Sequence, residues 1–94
     1  MSTTATTFTG EGTVMRKDAP LATVSYTLIQ KVDTSGIVTI EGWLDWRSGG
    51  RIPLYQGKLT LVLADARTVV FDVIEAKPTH VPRQYHISAS DTRL

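Results

Sequence analysis

Apolar and polar side chains alternate along most of this chain, and the clearest stretch runs from Leu21 to Val32. There Ala22, Val24, Tyr26, Leu28 and Val32 share one side, while Thr23, Ser25, Thr27 and Lys31 share the other. A two-residue period is that of an extended strand with one buried face, since successive side chains point to opposite sides of the pleat. The pattern returns from Ile37 to Arg47, with Val38, Ile40, Gly42, Leu44 and Trp46 opposite Thr39, Glu41, Trp43 and Asp45. By this alternation Trp46 is expected in the core and Trp43 among polar neighbours. From Thr68 to Ala76, Val69, Phe71 and Val73 alternate with Val70, Asp72 and Ile74, so apolar residues fall on both faces and cover on both is expected.

Turn chemistry separates these runs. Lys17-Asp18-Ala19-Pro20 follows a first run, Phe8 to Met15, whose Gly10 and Gly12 suggest a bulge or the bend of a closing sheet. Asp33-Thr34-Ser35-Gly36 is a tight turn, with a carboxylate able to bond the backbone ahead of it and a glycine free to take positive φ. Ser48-Gly49-Gly50 closes the next strand. Ile52 to Leu63 reads as a strand with a break near Pro53 or Gly57, and Leu59, Leu61 and Leu63 point inward. Ala64-Asp65-Ala66-Arg67 stands at a hairpin turn. Alanine is disfavoured at positive φ, so a loop of three to five residues on a type I turn is expected there. Lys77 to Pro82 is a loop, and Gln84 to Ala89 a last short strand.

No segment has the 3.6-residue period and caps of a helix. The chain therefore reads as all-β: a small antiparallel meander of about six strands that closes into a barrel or sandwich, since an open sheet would leave long edges bare. A single domain over residues 1–94 is expected, residues 1–6 and 91–94 being frayed, with a peripheral strand as the other reading of Ser2 to Thr7.

Composition narrows the functional classes. Ten Lys and Arg against nine Asp and Glu give a net charge of +1, so no global field draws the protein to nucleic acid or to an anionic membrane. Cysteine is absent, which removes disulfides, thiolate nucleophiles and Cys-ligated zinc together. The opening residues lack the basic start and apolar run of a secretory signal, and no apolar stretch approaches a membrane helix. A cytoplasmic location without membrane contact is the expectation.

Signature motifs of phosphate binding, zinc proteolysis and serine hydrolysis do not occur. Gly10-Glu11-Gly12 and Ser48-Gly49-Gly50 read as bends, because no helix start follows to bind an anion. His80 and His86 are the two imidazoles, and a metal site would need a third ligand such as Asp72 or Glu75. Roles in a strand and a loop explain them better, and no metal or cofactor is expected. Glu41 and Asp45 share a face four residues apart, ~13 Å along a strand, which is too far for a hydrolytic pair. No catalytic set is assigned.

The most distinctive segment is Gly42-Trp43-Leu44-Asp45-Trp46-Arg47. Trp43 on a polar face is a candidate contact, since aromatic residues are enriched in interface cores, and Arg47, Arg51 and Tyr55 are named with it as surface contacts. With Arg16, Lys31 and Arg83 they would supply a basic, aromatic rim for single-stranded nucleic acid, a reading that the near-zero charge disfavours. Cover of Trp43 by its own chain, under the N-terminal segment or the loop around Pro78, is the leading reading of this residue, ahead of a self-association surface and then a heterologous ligand.

The favoured reading is a non-enzymatic interaction or accessory domain, self-associating as a homodimer through a sheet face or binding another protein. Its alternatives are a binding module for a small apolar ligand or a nucleic acid strand and, last, a small enzyme with a dimer-interface site built from Asp72, Glu75, His80 or His86.

Overall fold

The computed structural model describes residues 4–50, 58–77 and 83–90. Six strands account for almost all of them: β1 (Thr4–Arg16), β2 (Ala19–Val32), β3 (Val38–Gly49), β4 (Leu59–Val62), β5 (Thr68–Lys77) and β6 (Gln84–Ser90). Every pairing is antiparallel, and the sheet closes on itself in the order β1-β2-β3-β6-β5-β4. The all-β, antiparallel expectation holds. One connection leaves the nearest-neighbour succession of a meander: β4 pairs with β1 and β5, and β6 fills the place beside β3. Among the described residues no helix is long and apolar enough to cross a membrane.

The two-residue period does the sorting. Val14, Val24, Leu28, Ile40, Leu44, Leu61, Val69, Phe71 and Ile87 are at most 1% exposed and meet inside the ring, while their chain neighbours face outward. Burying each such side chain contributes about 1.5–3 kcal/mol. Gln30 continues the inner row of β2 at its far end and is also buried.

Closure depends on close approach at particular positions. A Cβ on Gly10 would lie 2.7 Å from Tyr26 Oη, and one on Gly12 would run into the Val62 carbonyl oxygen. These glycines make room for the tyrosine and for the β1–β4 seam. The bulge expected at them falls instead between Val14 and Met15, where the β1–β2 register shifts. Further register shifts lie between Thr23 and Val24 on β2, opposite Arg47, and between Val73 and Glu75 on β5, at Ile74.

Two hairpin loops share one design. Thr34–Gly36 is closed by the Asp33 N–H donating to the Ile37 carbonyl at 3.1 Å and the Gly36 N–H donating to the Asp33 carbonyl at 3.1 Å. Ala64–Ala66 is closed the same way, Leu63 N–H to Arg67 carbonyl at 2.8 Å and Ala66 N–H to Leu63 carbonyl at 3.0 Å. The three-residue loop on a turn is as expected, yet its last residue is left-handed in both: Gly36 has φ 85° and Ala66 has φ 71°. Closing the loop therefore overrides the alanine's own preference. The Ser35 hydroxyl and the Ile37 N–H, both donating to Asp33 Oδ1, hold that carboxyl below its ordinary range.

Three expectations are revised. Thr4–Thr6 are rungs of the β1–β2 ladder and not frayed. Val70 and Ile74, on the outside of β5, are 44% and 48% exposed, so among the described residues nothing supplies the expected cover on that face. Trp46 is half-buried against the core, because it sits at the last inward rung of β3 where the ring opens. Of the strand expected over 52–63, the described residues 58–63 contain β4, and residues 52–57 with the breaks near Pro53 or Gly57 lie outside the described residues, as do His80 and the 91–94 tail.

Candidate functional site

Strand β3 carries Thr39, Glu41, Trp43 and Asp45 on its outer side because Ile40, Gly42 and Leu44 are committed to the interior. Trp43 is paired with Thr27 of β2 on one side and with His86 of β6 on the other. The registers continue to Thr9 of β1 and Glu75 of β5, so Thr9, Thr27, Trp43, His86 and Glu75 form one row across five strands.

The indole and imidazole rings stack face to face, 5.2 Å between centroids with 13° between planes. His86 Nε2 lies 3.1 Å from Glu41 Oε1, so the carboxylate fixes the ring that supports the tryptophan. Such a stack contributes about 0.5–1.5 kcal/mol beyond area burial. It holds Trp43 upright on the wall: the residue remains 36% exposed, and its own chain covers only part of it.

Neighbouring carboxylates are also engaged. Gln84 Nε2 donates to Asp45 Oδ1 at 3.1 Å, and Lys58 Nζ donates to Asp72 Oδ2 at 2.9 Å. Ile74, bulged out beside Glu75, adds an exposed apolar side chain two strands from Trp43. The wall of β3, β6 and β5 thus has an aromatic centre, an aliphatic flank, three carboxylates with partners (Glu41, Asp45 and Asp72) and an exposed Glu75.

Of the contact residues read from sequence, Trp43 is at the centre of this wall, but Arg47 does not rim it. At the β2–β3 irregularity Arg47 turns toward β2 and β1, its Nε donating to Ser25 Oγ at 2.7 Å with Glu11 Oε1 at 4.0 Å. Arg51 and Tyr55 lie outside the described residues. Arg83 stands over the other tryptophan, its guanidinium 5.7 Å from the Trp46 ring centre, and Trp46 Nε1 donates to the Gly50 carbonyl at 3.1 Å.

The pairing of His86 with Glu41 beside Trp43 is what sequence reading missed. The outward parity of Gln84, His86 and Ser88 against buried Tyr85 and Ile87 was a usable signal for the histidine's side of the sheet. Nothing local announced that β6 lies beside β3. Among the described residues no hydroxyl hydrogen-bonds the imidazole, and no group of three His, Asp or Glu side chains converges as a metal site would require.

Comparison with known proteins returns nothing to set beside this geometry: no family model, no curated protein and no solved structure matches the chain.

Proposed function

We propose that this chain is a non-enzymatic interaction domain that self-associates through the outer wall of β3, β6 and β5, with Trp43 as the anchor. The observation that carries the reading is the exposed Trp43, held upright by His86 on the outside of a ring whose interior is already filled. Surface tryptophans are prominent among residues that dominate interface energies.

Three carboxylates of the wall support a second copy as the occupant. Glu41, Asp45 and Asp72 each hold a partner within their own chain, so a copy laid over them meets carboxylates already engaged, and the exposed Glu75 falls at the end of the row, on β5. Val70 and Ile74 supply apolar surface that the described residues leave bare. A wall that meets its own copy about a two-fold axis forms a closed pair, the commonest form of association among soluble proteins.

Sedimentation velocity of the wild-type chain and of Trp43→Ala, across a hundredfold range of concentration, tests this. Wild type is expected to associate with rising concentration. Trp43→Ala, with an unchanged far-ultraviolet spectrum, should shift that association at least about tenfold toward higher concentration, the loss of one anchoring contact of about 1.4 kcal/mol or more. Identical sedimentation of the two would remove Trp43 from any such interface.

A further inference from the structure

The ring is sealed unevenly along β1. Its C-terminal part is paired on both sides, with β2 and, through Thr13, Val14 and Met15, with β4. From Thr4 to Gly12 the only strand partner among the described residues is β2. The three-residue loop Ala64–Ala66 ends β4 before it can follow β1 further, and Arg67 reaches only as far as the Phe8 ring, 5.3 Å from its centre.

Among the described residues, the second edge of Thr4–Thr9 is therefore a row of backbone donors and acceptors without a strand partner. Edges of this kind are ordinarily guarded by a charge, a proline, a bulge or a covering segment. Thr-Ala-Thr-Thr-Phe-Thr has no charged residue and no proline, and its pairing with β2 runs without a register shift. Five of its six residues, Thr4 to Thr7 and Thr9, are exposed, even though Thr4 and Thr6 have the parity of the inner face. The β-branched side chains of Thr4, Thr6, Thr7 and Thr9 favour the extended conformation that a new strand requires.

We infer that this edge is a strand-addition site, and that its occupant is the same edge of a second copy, added antiparallel. An antiparallel pair of identical segments is self-complementary: a two-fold axis near Thr6 sets Ala5 of each chain against Thr7 of the other. No like charges then meet, and the free N–H and C=O groups of both edges are satisfied together. The uncharged edge suits a copy of itself better than it suits a strongly charged peptide. This contact is independent of the Trp43 wall, which lies on the face of the sheet, so the two contacts together carry association beyond a dimer.

Ala5→Lys combined with Thr7→Lys tests it. Both positions are exposed on the outer side of β1, so the variant should retain the wild-type circular dichroism, while pairing would place lysine opposite lysine across the axis. Sedimentation of wild type, the double-lysine variant, Trp43→Ala and the triple variant separates the two contacts. The inference expects wild type to exceed a dimer, each parent variant to stop at a dimer and the triple variant to be monomeric. A double-lysine variant that sediments like wild type overturns the edge contact. A wild-type dimer that the lysines alone convert to monomer upholds the edge and removes the wall. Amide hydrogen exchange adds a second readout: between dilute and concentrated wild type, alternate amides of residues 4–9 should slow at least about tenfold, and in the double-lysine variant they should not.

Discussion

Strand β3 presents two faces that differ in what holds them. Inward, Ile40 and Leu44 are buried to within 1%, Gly42 is pressed against β2, and Trp46 closes the row from a half-buried position. Outward, Thr39, Glu41, Trp43 and Asp45 stand on the surface in contacts that reach only to the next strand. Each face has one tryptophan, three residues apart, and the strand's pleat alone decides which is structural. The inner tryptophan has its Nε1–H satisfied by the Gly50 carbonyl and a guanidinium over its ring, whereas the outer one is propped by an imidazole and left partly bare. Stability should therefore reside on the inner face and association on the outer, and substitutions along this one strand can test the division.

The largest effect is expected at Gly42. A Cβ there would collide with the Thr27 carbonyl oxygen and sit 3.0 Å from Leu28 Cα, both on the neighbouring strand, so neither can yield by a side-chain rotation. Gly42→Ala should cost about 3 kcal/mol or more, the upper range for overpacking, and lower the melting temperature by roughly 12 °C or more in a chain of this size. Thermal unfolding followed by circular dichroism reads this directly. A variant melting within a few degrees of wild type would mean that β2 and β3 are less tightly apposed than this.

Trp46→Ala comes next. It removes a half-buried ring packed against the core, the hydrogen bond to Gly50 and the ring under Arg83. A fully buried tryptophan costs about 3–5 kcal/mol when truncated, so a half-buried one should cost about 2. Urea titration should show the midpoint falling while the slope stays the same. The association measured for wild type should be untouched at concentrations of denaturant where both chains are folded.

How these roles were legible in advance follows from the range of the interactions. The side of the sheet that each residue of β2 and β3 takes was readable because a two-residue period is local and the turns flanking it are built from their own residues. Asp33 and Gly36 mark one such turn in the sequence. Ala66 does not, because its positive φ is imposed by the strands that the loop joins. Trp46 was read as buried since alternation says which way a side chain points but not how near it lies to the end of the ring. The outer side of β5 was read as covered since Val70 and Ile74 are apolar, and nothing in a strand's own pattern states whether another molecule or the chain itself covers it. The pairing of β6 with β3, which creates the Trp43–His86 stack, depends on which strands meet after a long connection. Such an encounter leaves no mark on either segment alone.

The smallest effect on stability is expected for Trp43→Ala, and that is what gives the variant its value. Trp43 loses its stack on His86, worth about 0.5–1.5 kcal/mol, while Glu41 still holds the imidazole and no interior space is opened. The monomer should therefore lose about 1 kcal/mol, roughly 4–8 °C in melting temperature, well short of the Gly42 change one residue away. Acrylamide quenching of the remaining tryptophan sharpens the contrast. In the monomer Trp43→Ala should leave the less accessible emission of Trp46, and Trp46→Ala the more accessible emission of Trp43. Equal quenching in the two would show that both faces of β3 shield their tryptophans alike. A stability loss as large as that of Trp46→Ala would place Trp43 among the structural residues, where it could no longer be spared for contact with another molecule.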